Sequence, residues 1–180
     1  MTRLIEDLLL LARDEKKGDR PKASVNLSAI LSNLLSLYQP EASTKQIDLK
    51  SEIGEDMYLL GNAGQLTRLF ANLIENALHY TLSGGTIEVT ANLVRCCLTV
   101  SVRDTGAGIA PEHLKLVFER FWRSDESRSY WEGGSGLGLA IAKSIAQNHG
   151  GSITLTSQVG VGSCFTVRLP SVKVSDNSQD

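Results

Sequence analysis

The chain has 180 residues, 42% of them hydrophobic, and sets 18 Lys and Arg against 20 Asp and Glu for a formal charge of −2. That is enough apolar material for one good core with a small appendage, and too little positive charge to hold nucleic acid or an anionic membrane face. Cys96 and Cys97 are adjacent and Cys164 stands apart, which is neither a metal-ligand spacing nor a disulfide framework, so a reducing, cytoplasmic setting is expected.

In chain order, residues 2–15 put Leu4, Leu8 and Leu11 on one helical stripe, widened by Ile5 and Ala12, with Arg3, Asp7 and Asp14 elsewhere. The apolar run over 4–12 carries Glu6 and Asp7 and falls well short of the ~20 residues a bilayer span needs. Charged residues follow it directly, which argues against a signal peptide. The stripe needs a cover: a helical bundle, a second copy docked through residues 2–15, or the helix's own domain. The run EKKGDRPK, broken by Gly18 and Pro21, then reads as a linker. This divides the chain into a helical piece over 1–16, a linker over 17–24, a main domain over 25–170 and a loose polar tail over 171–180.

Within the main domain, Asn26 is placed to cap a helix over 27–39 that buries Ile30, Leu34 and Leu37 and is disturbed at its end by Pro40. Short strands near 46–50 and 57–60 precede a helix over 63–80, whose apolar stripe is Leu66, Leu69, Phe70, Leu73 and Ala77. Strands follow near 85–93 and 97–103, the second alternating Leu98, Val100 and Val102 inward with Thr99, Ser101 and Arg103 outward. A helix over 136–149 stacks Leu137, Ile141 and Ile145 and stops at HGG; strands near 152–157 and 163–169 close a hairpin around Gly160 and Gly162. Strands with helices gathered on one side predict an α+β fold, a two-layer α/β sandwich.

Three segments carry chemistry. In GGSGLGLAIAK, Gly134, Gly136 and Gly138 leave backbone N–H groups bare at a helix start, where the macrodipole adds positive potential: a phosphate seat, or simple punctuation. In NLIENALHY, Asn72, Asn76 and His79 fall together beside the buried stripe. The Asn76 amide there needs a backbone neighbour or a ligand, and its carbonyl oxygen suits Mg2+. In DTGAGI, Asp104 ends a buried strand, and Gly106 and Gly108 let backbone approach a flat ligand. The carboxylate is placed to accept from an exocyclic amine such as adenine's, or to close an ordinary turn.

Taken together, NLIENALHY, DTGAGIA, FERFWR at 118–123 and GGSGLGLA resemble, in order and spacing, the asparagine box, first glycine box, phenylalanine box and second glycine box of sensor histidine kinases. The resemblance covers about 150 residues, up to GVGSCFTVRLP. It implies the Bergerat sandwich of the kinase's catalytic and ATP-binding domain, with RLIEDLLLLARDE resembling the second helix of the dimerisation and phosphoacceptor hairpin. By this resemblance Asn76 coordinates Mg2+ and Asp104 binds the adenine amine, with Gly106, Gly108 and Ile109 beside it. Gly134, Ser135, Gly136, Leu137, Gly138 and Leu139 frame the triphosphate. Asn72, His79 and Tyr80 support the phosphate side, and Arg123 reaches the γ-phosphate or remains a loop cation. Residues 110–135, with Phe118, Phe121, Trp122, Tyr130 and Trp131, form an ATP lid whose aromatics anchor it to the domain. The implied reaction moves the γ-phosphate to a histidine on the phosphoacceptor helix and then to an aspartate of a response regulator receiver domain.

Two departures qualify the likeness. His79 stands where the family often has a lysine, so nucleotide binding is expected to be weaker or pH-sensitive. The only histidines are His79, His113 and His149, none on a helix preceding residue 3; the chain is expected to bind ATP without phosphorylating itself. A hydrolase or serine kinase of the same superfamily generally has a glutamate one turn before the Mg2+ asparagine, where this chain has Asn72. A docking module that has lost catalysis is the other rival.

Overall fold

The computed structural model describes residues 23–123 and 135–172. Strand β1 (Ala23–Asn26) pairs antiparallel with β3 (Tyr58–Gly61) as a small separate sheet. The main sheet has the order β2-β4-β5-β7-β6, from β2 (Asp48–Ile53), β4 (Thr86–Val94), β5 (Cys97–Asp104), β6 (Ser152–Gln158) and β7 (Gly162–Pro170). Among the described strands only the β2–β4 pair is parallel. One face of this sheet is buried: Ile87, Val89 and Ala91 on β4, Leu98, Val100 and Val102 on β5, and Phe165, Val167 and Leu169 on β7. On the other face Thr90, Ser101, Thr166 and Thr154 stand opposite one another across four strands and stay accessible.

Helices α1 (Leu27–Thr44), α2 (Ala63–Tyr80) and α3 (Gly138–Asn148) form the second layer. Asn26 and Asn62 cap the first two, each accepting from a backbone N–H three residues on, at 3.0 Å, a bond worth about 1 kcal/mol. The stripes expected on α2 and α3 are buried as read: Leu66, Leu69, Phe70, Leu73 and Ala77, and Leu137, Ile141 and Ile145. They meet the sheet's inner face in one continuous core.

Several expectations need correction. Helix α1 continues through Pro40 to Thr44. The missing proline N–H is one lost bond near the end of the helix, and Ala42, fully buried, anchors the last turn beyond it. The buried face of α1 is Leu27, Leu31, Leu34, Leu35 and Ala42, so Leu37 points outward at 68% exposure. Strand β1 gave no signal of its own, since four residues following a charged run carry no period. His149 ends α3, as HGG suggests, and is 5% exposed with both ring nitrogens bonded to backbone. The helix expected over 2–15, Gly134 with the expected lid residues Tyr130 and Trp131, and the tail from 173 onward lie outside the described residues.

Candidate functional site

Asn72, Asn76 and Tyr80 recur every four residues on α2 and therefore share one edge of it, stepping ~6 Å per turn. Two ties pin that edge. Near the middle of α2, Asn72 Nδ2 donates to the carbonyl of Gly138, the first residue of α3, at 3.0 Å. At its end the Tyr80 carbonyl accepts from Ala107 N–H at 3.3 Å. A Cβ on Gly106 would stand 2.3 Å from that same oxygen, so only glycine lets the loop after β5 lie on the helix end. Asn76 sits one turn from each tie, between the glycine start of α3 and the loop carrying Asp104. Its side chain is half-buried and makes no hydrogen bond among the described residues.

Asp104 is 4% exposed at the end of β5. Its Oδ1 accepts two backbone N–H groups, from Gly106 at 2.9 Å and from Ser163 at 3.2 Å. Burial pushes the carboxyl up from its ordinary value, and those two bonds oppose the rise. Both donors address Oδ1, so Oδ2 is the oxygen left for a ligand, and it selects a hydrogen-bond donor such as an exocyclic amine. The loop after Asp104 is laced to the β6–β7 hairpin. Ile109 N–H donates to Ser157 Oγ at 2.8 Å, and Gly160 N–H to the Ala107 carbonyl at 2.8 Å. Gly108, at φ 73°, lies so close that a Cβ would come within 2.1 Å of the Gln158 carbonyl.

The glycine segment is held from both sides. Gly136, at φ 68°, accepts from Phe121 N–H at 3.0 Å, and Ser135 Oγ accepts from Leu137 N–H at 3.3 Å. Leu137 is fully buried and Leu139 partly so. No described side chain caps α3, in contrast with α1 and α2, so its first-turn N–H groups face the space beside Asn72 with the positive end of the dipole. His79 stands edge-on to Tyr80, ring centroids 4.6 Å apart. Burial first, then the charges of Lys45 and Arg123, lower its pKa from 6.5. Arg123 thus lies within electrostatic reach of His79. Of the aromatics between β5 and the glycine segment, Phe118 packs edge-on against Phe165 at 6.2 Å and Trp122 against His113 at 5.2 Å. Phe118 ties that segment to the sheet, whereas Phe121 is 57% exposed.

No trio of His, Cys, Asp or Glu suited to a metal exists among the described residues. The donor at hand is the Asn76 amide oxygen, which fits Mg2+, a cation that keeps several waters and takes most other ligands from substrate phosphates. Sequence reasoning missed Ser157 and Ser163. Their contributions come through a hairpin register that no local pattern announces.

A sandwich with this strand order and an uncapped glycine helix beside an asparagine-bearing helix is the architecture of histidine kinase catalytic domains. The mycobacterial sensor histidine kinase MprB superposes with a TM-score of 0.73 at 26% identity, covering 83% of this chain and 97% of that one. Full-length ShkA, solved in complex with AMPPNP, gives 0.81 at 27% identity over 96% of this chain and 36% of that one. Residues 61–173 match the family of histidine kinase-, DNA gyrase B- and HSP90-like ATPases, and the chain belongs to it. Sensor histidine kinase RppB of Synechocystis is 41% identical over 172 residues, 94% of this chain and 38% of that protein. Sensor-like histidine kinase SenX3 of Mycobacterium bovis is 35% identical over 170 residues, 94% and 42% respectively. The chain therefore spans about two fifths of the length of these curated relatives.

Proposed function

We propose that this chain binds ATP with Mg2+ and, within its complete protein, transfers the γ-phosphate to a histidine on a phosphoacceptor helix for relay to a receiver-domain aspartate. The observation that carries the reading is the pinning of one α2 edge to both the Asp104 loop and the α3 start, with the Asn76 amide between them. Asp104 Oδ2 accepts the adenine amine, with Gly106, Gly108 and Ile109 forming the wall beside the ring. First-turn N–H groups of α3, from Gly138 and Leu139 on, and the Ser135 to Leu137 segment ahead of them line the phosphate seat. Asn76 lends its carbonyl oxygen to Mg2+, which when bound offsets charge on the β- and γ-phosphates. Asn72 holds α3 in place, Tyr80 closes the phosphate side beside His79, and Arg123 meets the charge that spreads over the γ-phosphoryl group during transfer.

Two features favour transfer over hydrolysis. Asn72 is an amide and cannot take a proton from water. Glu75, the carboxylate of this motif, accepts from Tyr38 Oη on α1 at 2.7 Å. The response regulator, a second copy docked through residues 2–15 and anchoring of the parent protein in a membrane belong to the same proposal. No described helix is long and apolar enough to cross a membrane itself. Titration calorimetry with Mg2+ and a non-hydrolysable ATP analogue is the test. Binding that weakens when Mg2+ is chelated, and weakens again in Asn76→Ala, is expected; no heat with the intact chain overturns the reading.

A further inference from the structure

Helices α2 and α3 run antiparallel and are joined by two polar ties at opposite ends of α3. One is Asn72 Nδ2 to the Gly138 carbonyl. The other joins the far ends: Asn62 N–H, at the cap of α2, donates to His149 Nε2 at 3.1 Å, at the cap of α3. Along α2 the ties are ten residues apart and along α3 eleven, so about 15 Å and 16.5 Å of helix separate them. Nearly equal spans on two antiparallel rods make a ladder with two rungs. Apolar packing between the two helices, Leu66 to Ala77 against Leu137 to Ile145, holds them together, and the two directional rungs fix which turn of one faces which turn of the other.

The chemistry of the far rung allows one state only. His149 Nδ1 lies 2.8 Å from the Ile145 carbonyl, which accepts and never donates, so Nδ1 carries the proton. Nε2 faces an N–H, so it must be a bare acceptor. The ring is 5% exposed, and Gly61 leaves it room: a Cβ there would stand 2.7 Å from Cδ2 and 2.9 Å from Nε2.

We propose that His149, held as the neutral Nδ1–H tautomer, is a positioning residue for the nucleotide: by fixing the register of α3 on α2 it sets how the bare first turn of α3 faces Asn72 and Asn76. The proposal rests on the nucleotide-binding reading above.

Two substitutions split the two bonds of the ring. Glutamine places a terminal polar atom where Nε2 stands and keeps the rung to Asn62. Asparagine matches Nδ1, keeps the bond within α3 and cuts the rung. Gly61→Ala, at the end of β3 beside Asn62, attacks the rung with His149 intact. His149→Asn and Gly61→Ala are expected to weaken binding of the Mg2+-dependent ATP analogue about tenfold, and His149→Gln no more than about twofold to threefold. Equal losses in His149→Asn and His149→Gln, or none in His149→Asn, overturn the proposal. Nitrogen NMR of the ligand-free protein gives an independent reading: a protonated Nδ1, an unprotonated Nε2 and a coupling across the hydrogen bond to the Asn62 nitrogen. A protonated Nε2 overturns the rung itself. If the intact chain takes up no nucleotide, the functional reading fails and the role assigned to His149 fails with it; the coupling then shows whether the rung survives as a purely structural tie.

Discussion

On the proposed reading the two oxygens of Asp104 do different jobs, one held by backbone and one left for adenine, and Asp104→Asn separates them. Backbone N–H groups of Gly106 and Ser163 both address Oδ1, so an asparagine puts its carbonyl oxygen there and turns its NH2 toward the ligand. Donor then faces the adenine amine, costing about 1–3 kcal/mol of ATP binding, roughly 5- to 150-fold. Guanine presents a carbonyl at the same place, so preference between ATP and GTP should shift toward GTP; competition calorimetry reads this directly. Stability moves the other way. The folded-state pKa of Asp104 is raised by burial, so between the unfolded and folded values the folded state binds more protons, and stability falls as pH rises through that window. The uncharged amide of Asp104→Asn carries no such cost. A melting midpoint higher by on the order of a few degrees at pH 7 is expected for the variant, the difference vanishing below the ordinary aspartate range. For His79 the sign is likewise fixed: burial, Lys45 and Arg123 keep it neutral at pH 7 to 8. The ratio of intact to His79→Gln affinity for ATP should stay flat there and rise only as the pH drops below 6.5, while His79→Lys should bind severalfold more tightly at pH 7.5. A flat ratio throughout, with no gain in His79→Lys, removes His79 from the phosphate side.

At the scale of elements, the loop that follows β5 is positioned by backbone contact, which makes glycine substitutions sharply unequal. Gly108 and Gly160 both have positive φ, 73° and 75°, so alanine at either pays the left-handed penalty of roughly 1–2 kcal/mol. Gly160 faces open space, whereas a Cβ on Gly108 collides with the Gln158 backbone at 2.1 Å. Urea denaturation should show Gly160→Ala losing only that backbone term. Gly108→Ala should lose at least about 1 kcal/mol more and weaken nucleotide binding as the loop lifts from β6. Similar losses in the two would mean that the loop yields easily. The same contrast explains what the sequence made legible. Helix α2 was readable because Leu66 to Ala77 keep a 3.6-residue period, although its Asn62 cap was not read; β5 was readable because Leu98, Val100 and Val102 alternate. Asn76 and Asp104 stood out as polar groups beside apolar stripes. Leu37 and β1 did not, because the first depends on which side of α1 meets the sheet and the second on a partner 32 to 38 residues away. The bonds from Ser163 to Asp104 and from His149 to Asn62 span 59 and 87 residues, and nothing local encodes them.

At the scale of the whole molecule, the fold leaves its own histidines badly placed to receive the phosphoryl group. His149 is buried with both nitrogens committed to backbone. His79 lies three residues beyond Asn76 on the same helix, and His113 packs its ring against Trp122 in a short turn. In-line transfer needs an acceptor nitrogen that approaches the γ-phosphate from the side opposite the leaving oxygen, and a group fixed on the cradle cannot make that approach. An acceptor on a separate helix can. Incubation with Mg2+ and γ-labelled ATP should therefore leave the chain itself unlabelled, while a separate phosphoacceptor helical hairpin, added in trans, takes up acid-labile phosphate. If Arg123 meets the transferring group as proposed, Arg123→Ala should slow that transfer by about 10- to 1,000-fold with little change in ATP affinity. Label appearing on the chain alone, or rapid phosphate release into solution that depends on Asn72, would mean the cradle delivers the phosphoryl group to itself or to water, and the kinase reading would give way to the hydrolase one.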